Sequence, residues 1–475
     1  MIRNRNTGKT GGRLRAPARL AALLVLAVLL HGCSGGTSGG AGKPQGAAAE
    51  PVKNGKGQTV VTFSVLTKDR FLQEAETEFE KLNPGIDIEF REHSVTPDNG
   101  GRIMVKFGGE EDEGDLEKYI TTVNTEMMSG KGADLIQVDK LPYKRYAEKG
   151  LLADLSELFE GAEGLDRSGY AESVLDALKT DGASYAVPLR YSLGLLMGDA
   201  EAIAQSGASV DDAGWTWASF LETARKTAES SGKTALAGLT PAGLLKEALR
   251  SDFSAYVNEK EKQAAFDTEE FRSLLERIKE LYDDGLASET ADAPDSGAFR
   301  MFNVRMAMDL LLMPNMLYGG KSKLMAPPAS GGPRGWTFDS SLMAAVNASS
   351  PVKKEAMAFL RFLLGEDMQS RMSLLGIPVN RTAAAAQLDD MTEKLAGGGM
   401  KIMGKDGESA AAPSFTEEDK TELLEALKSV GRYAGSDRTV LRIAAEEAEP
   451  FFAGRIDAAE AAKRIERKVN TYLNE

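Results

Sequence analysis

The stretch TVVTFSVLTKDRFLQEAETEFEKLNPGIDIEF, Thr59–Phe90, decides the fold class of this chain. Val61, Phe63 and Val65 alternate with other residues at its start, which is typical of a half-buried strand. Apolar side chains then recur at helical spacing until Asn83-Pro84-Gly85, and IDIEF alternates again. A strand, a helix and a second strand within about thirty residues predict a parallel crossover.

Two loops follow predicted strands at their carboxyl ends. Thr67–Arg70 follows the first strand, and Asp139–Pro142 follows a short strand predicted over residues 134–138. Ligands bind at this edge of open α/β sheets. We therefore predict ligand contacts from the charged residues of both loops, Lys68, Asp69, Asp139 and Lys140.

Six further stretches follow one another in a fixed order. They are GADLIQVDKLPYKRYAEKGLLADLSE, YAVPLRYSLGLLMGDAEAI, WTWASFLETARKTAE, VRMAMDLLL, SSPVKKEAMAFLRFLLGEDMQ and GIPVNR. As an ordered set they resemble the family 1 extracellular solute-binding proteins, the receptors of ABC importers. The resemblance covers most of the chain from Thr59 to about Arg381.

This resemblance implies an α/β, two-lobed periplasmic-binding-protein-like fold of type II. Each lobe would be a mixed sheet flanked by helices, and hinge strands would join the two lobes. Extended stretches around Pro188 and over Gly376–Arg381 suit the crossings, because few residues absorb the rotation of a hinge. We predict that lobe 1 consists of residues 58–190 and 339–378, and lobe 2 of residues 191–338 and 379–475.

Helices with a core-facing stripe are predicted between and after these crossings. EEFRSLLERIKELYDDG places five large apolar residues on one face and ends at Gly285, which suits a C-terminal cap. The last helix is predicted to begin at Asp457, with Glu460 three residues later as in a capping box. We interpret these stripes as core rather than as binding surfaces.

The amino-terminal segment has the features of an export signal. Six basic and no acidic residues precede an apolar run over Leu20–Leu30, which as a helix would span about 16 Å of a ~30 Å hydrocarbon core. Leu30-His31-Gly32-Cys33 resembles a bacterial lipobox, in which the cysteine is lipidated and the chain is cut before it. We predict a lipoprotein signal peptide over residues 1–32 and a Gly/Ala-rich tether over residues 33–57.

Lipidation would leave the chain without a free thiol, and cleavage would change its net charge. Cys33 is the sole cysteine of the 475 residues, so a lipidated chain has no thiol for disulfides or catalysis. Loss of the six basic residues changes the formal net charge from −14 to −20. Such a charge disfavours contact with nucleic acid and with anionic lipid headgroups, so we expect membrane contact through acyl chains alone. We also expect a monomer.

The sequence offers little for catalysis. After cleavage His93 is the only histidine, and it lies in no metal-binding spacing, so we interpret it as a surface residue. SSGKT lacks the first glycine of a P-loop, since Thr227 occupies that position. We predict no enzyme activity, no metal and no cofactor. A glycan hydrolase remains an alternative, because a pair of catalytic carboxylates has no sequence spacing that would reveal it.

A sugar site needs aromatic faces and hydrogen-bonding side chains. Trp336 lies in a Gly/Pro-rich loop, and Arg190 and Tyr191 follow the first crossing, so all three are predicted ligand contacts. Relatives that bind sugars often carry a stacking tryptophan after RMAMDL, whereas LLMPNML here offers Met313 and Asn315. We predict contacts from both, with a softer surface that suits a sugar or another polar solute.

The resemblance implies a function without chemistry. We predict a lipid-anchored extracellular receptor of an ABC importer that captures a small polar solute, most simply a sugar or oligosaccharide. Closure of the lobes on the solute would present it to permease subunits. The alternative with the same fold is a sensor lipoprotein that presents its ligand to a signalling receptor.

Overall fold

The computed structural model describes residues 50–94, 113–160, 164–210, 214–290, 297–329, 335–396, 401–403, 409–411, 416–428, 430–435 and 437–474. The predicted signal peptide and the lipidation site Cys33 lie outside these residues. Every statement below concerns the unit that begins at Ala48.

Strands of the described part form one large mixed sheet and two short ribbons. They are β1 Thr59–Val65, β2 Ile86–Glu92, β3 Leu135–Gln137, β4 Val187–Asp199, β5 Thr234–Ala237, β6 Val257–Asn258, β7 Gln263–Ala264, β8 Ala287–Ser288, β9 Gly297–Val304, β10 Ser322–Met325, β11 Thr337–Val346, β12 Ile377–Pro378, β13 Lys401–Met403, β14 Ser409–Ala411 and β15 Arg432–Tyr433.

Helices cover the sheet. They are α1 Arg70–Leu82, α2 Glu113–Met128, α3 Tyr143–Glu148, α4 Glu172–Ala177, α5 Ala200–Ser206, α6 Trp217–Ser231, α7 Pro241–Ser251, α8 Phe253–Tyr256, α9 Glu269–Asp283, α10 Asp309–Tyr318, α11 Lys353–Leu364, α12 Glu366–Gln369, α13 Arg381–Ala396, α14 Glu417–Lys428, α15 Arg438–Phe452 and α16 Ala458–Asn474, with 3-10 turns at Ser156–Leu158 and Arg167–Gly169.

The predicted crossover is confirmed. β1 and β2 pair in parallel from Thr59 opposite Ile86 to Val65 opposite Glu92, and α1 joins them. β3 pairs in parallel with the other side of β1. The carboxyl ends of these strands therefore lie at one edge, as the alternating pattern indicated.

Strand β4 connects the two halves of the sheet. Its first residues pair with β11, and its later residues pair with β9 and β10, all antiparallel. The order β2-β1-β3-β11-β4-β9-β5-β8 thus places β1, β2, β3 and β11 on one side of β4 and β5, β8 and β9 on the other. β12 also pairs with β4, where Ile377 lies opposite Tyr191. The two stretches that were predicted to be extended, around Pro188 and over Gly376–Arg381, therefore contain neighbouring strands, β4 and β12.

Separate apolar cores support the two-lobed fold. One core packs Phe220, Phe271 and Phe299 with apolar residues of α15 and α16. Another packs Phe63 and Phe359 between the first strands and helices α1 and α11. A third lies beside α2 and the hinge strands and also takes in Leu423 and Leu427 of α14. The exact lobe boundaries stay a prediction.

The segment before β1 is held against the sheet. Val60 N donates a hydrogen bond to Val52 O at 2.9 Å, within the stretch predicted as the end of the tether. None of the helices in the described ranges is both long and apolar enough to cross a membrane.

Candidate functional site

A cavity opens where the carboxyl end of α7 faces strands β4, β9 and β11. Its empty volume is about 650 Å³, which includes open solvent at its mouth. Residues of the second half of the chain and of the hinge strands line it together. Its polar lining consists of Ser192, Glu247, Arg250, Ser251, Asn303, Thr337 and Asp339, and its apolar lining of Leu239, Met301, Phe302, Pro327 and Phe338, with Gly194 and Ala434 between them.

Helix α7 is positioned by its cap and its apolar face. Thr240 Oγ1 accepts a hydrogen bond from Gly243 N at 3.0 Å, and Pro241 occupies the first turn, where no amide donor is needed. Leu244, Leu245, Ala248 and Leu249 are buried in the core that also contains Phe220 and Phe271. Helical periodicity therefore turns Glu247 and Arg250 away from that core, toward the cavity.

The loop after β10 is bound to the carboxyl end of α7. Ser251 Oγ donates to Pro328 O at 2.9 Å and accepts from Trp217 Nε1 at 2.8 Å. Trp215 Nε1 donates to Ala326 O at 3.2 Å. Both tryptophans are buried and hold this loop in place.

Charged groups at the cavity retain capacity for a ligand. Arg250 Nη1 lies 3.8 Å from Glu247 Oε1, and both side chains are about 30% exposed. This distance is too long for a hydrogen bond. Asp339 is partly exposed, and Asn303 is exposed at the end of β9. The cavity thus combines cationic, anionic and amide groups around the rings of Phe302 and Phe338.

Arg432 of β15 lies against the same cavity. It pairs in register with Thr337, and its Nη2 donates to Pro327 O at 3.4 Å. Its Nε is buried without a hydrogen-bond partner among the described residues. Burial lowers the pKa of the Arg432 guanidinium, and the charge of Asp252 offsets this only in part.

Two predicted ligand contacts, Asp69 and Arg190, contact each other, and their contacts with a solute stay a prediction. Arg190 Nη1 lies 2.8 Å from Asp69 Oδ2, and Arg190 Nε donates to Ser341 Oγ at 3.0 Å. Asp69 also caps α1 by accepting from Leu72 N. A Cβ on Gly376 would lie 2.8 Å from the Arg190 Cβ, so this glycine leaves room for the arginine. We call Asp69, Arg190 and Ser341 the Arg190 cluster.

Lys68 lies apart from the cavity lining. Its Nζ pairs with Glu76 Oε2 at 2.5 Å and stands 4.7 Å from the centre of the Phe90 ring. Its ammonium therefore already has a carboxylate and an aromatic face.

Asp139 and Lys140 are brought together at the end of β3. Asp139 Oδ1 accepts from Met343 N at 3.2 Å, and Oδ2 lies 3.8 Å from Lys140 Nζ. The Asp139 side chain is fully buried, and Oδ2 has no hydrogen-bond partner within the described ranges. Burial raises the pKa of Asp139, Lys140 opposes this, and the nearby charge of Asp339 adds to it.

The predicted aromatic contacts lie below or beside the cavity. Tyr191 is 2% exposed and packs edge-on against Phe338, with 6.1 Å between ring centres. Its burial raises the pKa of the phenol well above its usual range. Trp336 is half-buried, packs against the core that contains Tyr191, and precedes Thr337 of the cavity lining. Their contacts with a solute stay a prediction.

Helix α10 carries two predicted ligand contacts, Met313 and Asn315. Met313 is half-buried and packs against Met197, Leu317 and Tyr318. The side chain of Asn315 lies outside the described part of the structure. Phe302 borders both this apolar group and the cavity, so Met313 lies on a surface continuous with it.

His93 is less exposed than predicted. Its Nε2 lies 3.2 Å from Ser64 Oγ, and its ring packs edge-on against Tyr119. Burial lowers the pKa of the imidazole. Among the residues described, no group of three or more potential metal-binding side chains converges.

Sequence reasoning missed the principal cavity residues. Glu247 and Arg250 have the spacing of any solvent-facing pair on an amphipathic helix, so nothing local distinguished them. Asn303 and Asp339 offered a weak signal, because each is a polar residue within a strand near the predicted crossings. Only long-range pairing brings these four residues to one cavity.

Comparison with known proteins gives a family match and many structural matches. A family model described as bacterial extracellular solute-binding protein matches residues 109–396, more than half of the chain. A family 1 extracellular solute-binding protein from Alicyclobacillus acidocaldarius shares 20% identity over 89% of this chain and 100% of its own, with a TM-score of 0.56.

Two further structures are similar. The sugar-binding protein MalE from Xanthomonas citri shares 16% identity over 88% of this chain and 98% of its own, with a TM-score of 0.57. An ABC substrate-binding protein from Listeria monocytogenes, solved with cycloalternan, shares 17% identity over 88% of this chain and 99% of its own, with a TM-score of 0.53. At these identities the likeness concerns the fold.

Proposed function

The chain belongs to the family of bacterial extracellular solute-binding proteins, and from that premise we propose that it captures a hydroxyl-rich solute, a sugar or oligosaccharide, in the cavity beside α7. The observation that carries this proposal is the convergence of Arg250, Asn303 and Asp339 on one cavity. Carboxylate, amide and guanidinium groups supply the acceptors and donors that sugar hydroxyls require. Structures with this fold have been solved with cycloalternan and with acarbose, which adds support.

Binding would be coupled to closure of the lobes. The cavity lining combines α7, from one half of the molecule, with strands that cross between the halves. A solute that contacts both sides favours whichever relative position brings them together. We propose that Lys140 and Trp336 add contacts near the cavity, that Met313 extends its apolar wall, and that the Arg190 cluster holds the hinge. Contacts from Lys68, Asp139, Tyr191 and Asn315 are proposed with them.

The proposed cellular setting follows from the amino-terminal sequence and the family. A signal peptide over residues 1–32 and diacylation at Cys33 would hold the protein on the outer face of the cell membrane. From there it would deliver its solute to ABC permease subunits. Lobe boundaries at residues 190/191, 338/339 and 378/379 would place the turning points in β4, β11 and β12.

A thermal-shift screen tests solute capture. The full chain in mild detergent is heated with a library of sugars, oligosaccharides, peptides and other polar metabolites. A solute at a hundred times its dissociation constant stabilises the folded state by about 2.7 kcal/mol. We expect stabilisation by sugars and its loss in Asp339→Asn. Stabilisation by peptides alone would overturn the choice of solute, and no stabilisation by any member would overturn the receptor.

Metabolic labelling tests the anchor. Cells expressing the wild-type chain or Cys33→Ser are labelled with a palmitate analogue and fractionated. The wild type should carry label and sediment with membranes, and Cys33→Ser should carry none. Equal membrane association without label in both would contradict lipidation at Cys33.

A further inference from the structure

Arg250 lines the cavity and Arg432 lies next to its lining, and neither has a closely bound anion among the described residues. Arg432 contacts Pro327 O, and Thr337 beside it lines the cavity. Arg250 lies next to Ser251, which contacts Pro328 O. Arg432 and Ser251, the neighbour of Arg250, thus contact adjacent prolines of a single loop.

Neither guanidinium is satisfied by the described residues. Arg432 Nε is buried without a hydrogen-bond partner there. Arg250 has Glu247 at 3.8 Å, which gives a loose ion pair without a hydrogen bond. A guanidinium removed from water is costly unless an anion accepts its fork of donors.

We propose that the solute carries an anionic group, a carboxylate or a phosphate, beside its hydroxyls, and that Arg250 and Arg432 hold this group. The inference rests on the proposed function and narrows its solute class to acidic sugars. Glu247 and Asp339 accept hydrogen bonds only, so they suit the hydroxyl donors of the solute. Both carboxylates repel an anion, so the anionic group is favoured only where it contacts the guanidinium groups directly.

The lowered pKa of Arg432 agrees with this geometry. The shift shows that burial disfavours the cation more than the nearby Asp252 favours it. An anionic solute group would reverse this balance when it binds. Planar guanidinium groups match carboxylate and phosphate oxygens two at a time, which an ammonium group does not.

Matched neutral and acidic sugars test the inference. The full chain is titrated calorimetrically with glucose, glucuronate and glucose 6-phosphate, and with galactose and galacturonate. We expect the acidic member of a series to bind at least tenfold more tightly than the neutral one. Preference for glucuronate or galacturonate assigns a carboxylate, and preference for glucose 6-phosphate assigns a phosphate.

Arg432→Gln and Arg250→Gln identify the residues. Arg432→Gln should remove the tenfold advantage of the acidic sugar while the neutral sugar binds as before. Arg250→Gln should weaken both, because Arg250 also faces the hydroxyls, but should weaken the acidic sugar at least tenfold more. Arg442→Gln, on the exposed face of α15, is the matched control and should leave both affinities unchanged. Arg432→Gln should not lower the melting midpoint of the ligand-free protein, because it removes a desolvated charge. The more exposed Arg250 provides a second variant that keeps the fold.

The outcomes separate this inference from the proposed function. Equal or tighter binding of the neutral sugars, or an equal loss of both affinities in the variants, overturns the inference and keeps the receptor. If the chain binds neutral oligosaccharides but none of these five sugars, the inference is also overturned and the receptor function is kept. No binding of any sugar or other polar solute overturns both.

Discussion

The Arg190 cluster and the arginines of the cavity wall differ in how their charges are satisfied, although both adjoin β11. Arg190 is 12% exposed, and its Nε donates to a serine hydroxyl at 3.0 Å. Its Nη1 forms a close ion pair with an aspartate at 2.8 Å, although without hydrogen-bond geometry. Arg250 and Arg432 have only a loose ion pair and a carbonyl contact at 3.4 Å. Polar groups satisfied within the chain stabilise the fold, whereas groups left with unused donors are available to a solute.

Removal of Arg190 should have the largest effect and should act on stability. Arg190→Ala leaves Asp69 without its cation, and breaking a nearly buried pair costs about 3 kcal/mol. We expect this loss in the free energy of unfolding, measured with urea. Arg442→Ala, which removes an exposed pair with Glu446, should change it by less than about 0.5 kcal/mol. Equal losses in both variants would remove the distinction between the two regions.

Removal of the Asp339 carboxylate should lower the affinity for the solute rather than the stability of the fold. Asp339→Asn replaces an acceptor by a donor toward the solute, which costs about 1 to 3 kcal/mol, or roughly tenfold to a hundredfold in affinity. The urea midpoint of the ligand-free protein should stay within error of the wild type. Calorimetric titration with the solute found by screening measures the affinity. If Asp339→Asn loses stability but keeps its affinity for the solute, Asp339 stabilises the fold, as the Arg190 cluster does, and does not bind the solute.

The cap of α7 should give a smaller effect. Thr240→Ala removes the acceptor of Gly243 N, which costs about 1 kcal/mol of unfolding free energy. Thr240→Ser keeps the hydroxyl and serves as the control. Since Arg250 lies at the other end of this helix, solute affinity should change less than threefold. A larger loss of affinity than in Asp339→Asn would show that helix position, rather than side-chain chemistry, controls binding.

The smallest effect concerns pH. Asp139 has a pKa above its ordinary value in the folded protein, so the folded state holds a proton that the unfolded state has released. Stability of the wild type should therefore fall relative to Asp139→Asn as pH rises above about 4. Urea unfolding of both proteins between pH 4 and 7 measures the difference. A difference that shrinks with rising pH would show that Lys140 outweighs burial.

The sequence predicted the parts of this molecule that local patterns determine. The family resemblance is confirmed by the match over residues 109–396. The predicted face of α9 is buried, Gly285 has the left-handed conformation expected after a helix, and Asp457 Oδ1 accepts from Glu460 N at 2.8 Å. Each of these features depends on residues within about two helical turns of one another.

The cavity depends on pairings across long stretches of chain. Arg432 reaches it because β15 pairs with β11, about a hundred residues earlier in the sequence. Arg250 reaches it because the rest of α7 is buried in a core completed by α15 and α16. No spacing in the sequence encodes these contacts. The loops after β1 and β3 were predicted as neighbours at one sheet edge, but periodicity could not show that Asp69 would pair with Arg190.

Hydrogen exchange measured with and without the bound solute tests whether the solute binds in the cavity beside α7. Bound solute should slow exchange in α7, in the carboxyl half of β9 and in the first residues of β11, since these segments line the cavity. The exposed face of α15 should exchange at the same rate in both states. Protection confined to segments outside the cavity lining, with α7, β9 and β11 unchanged, would contradict binding in this cavity.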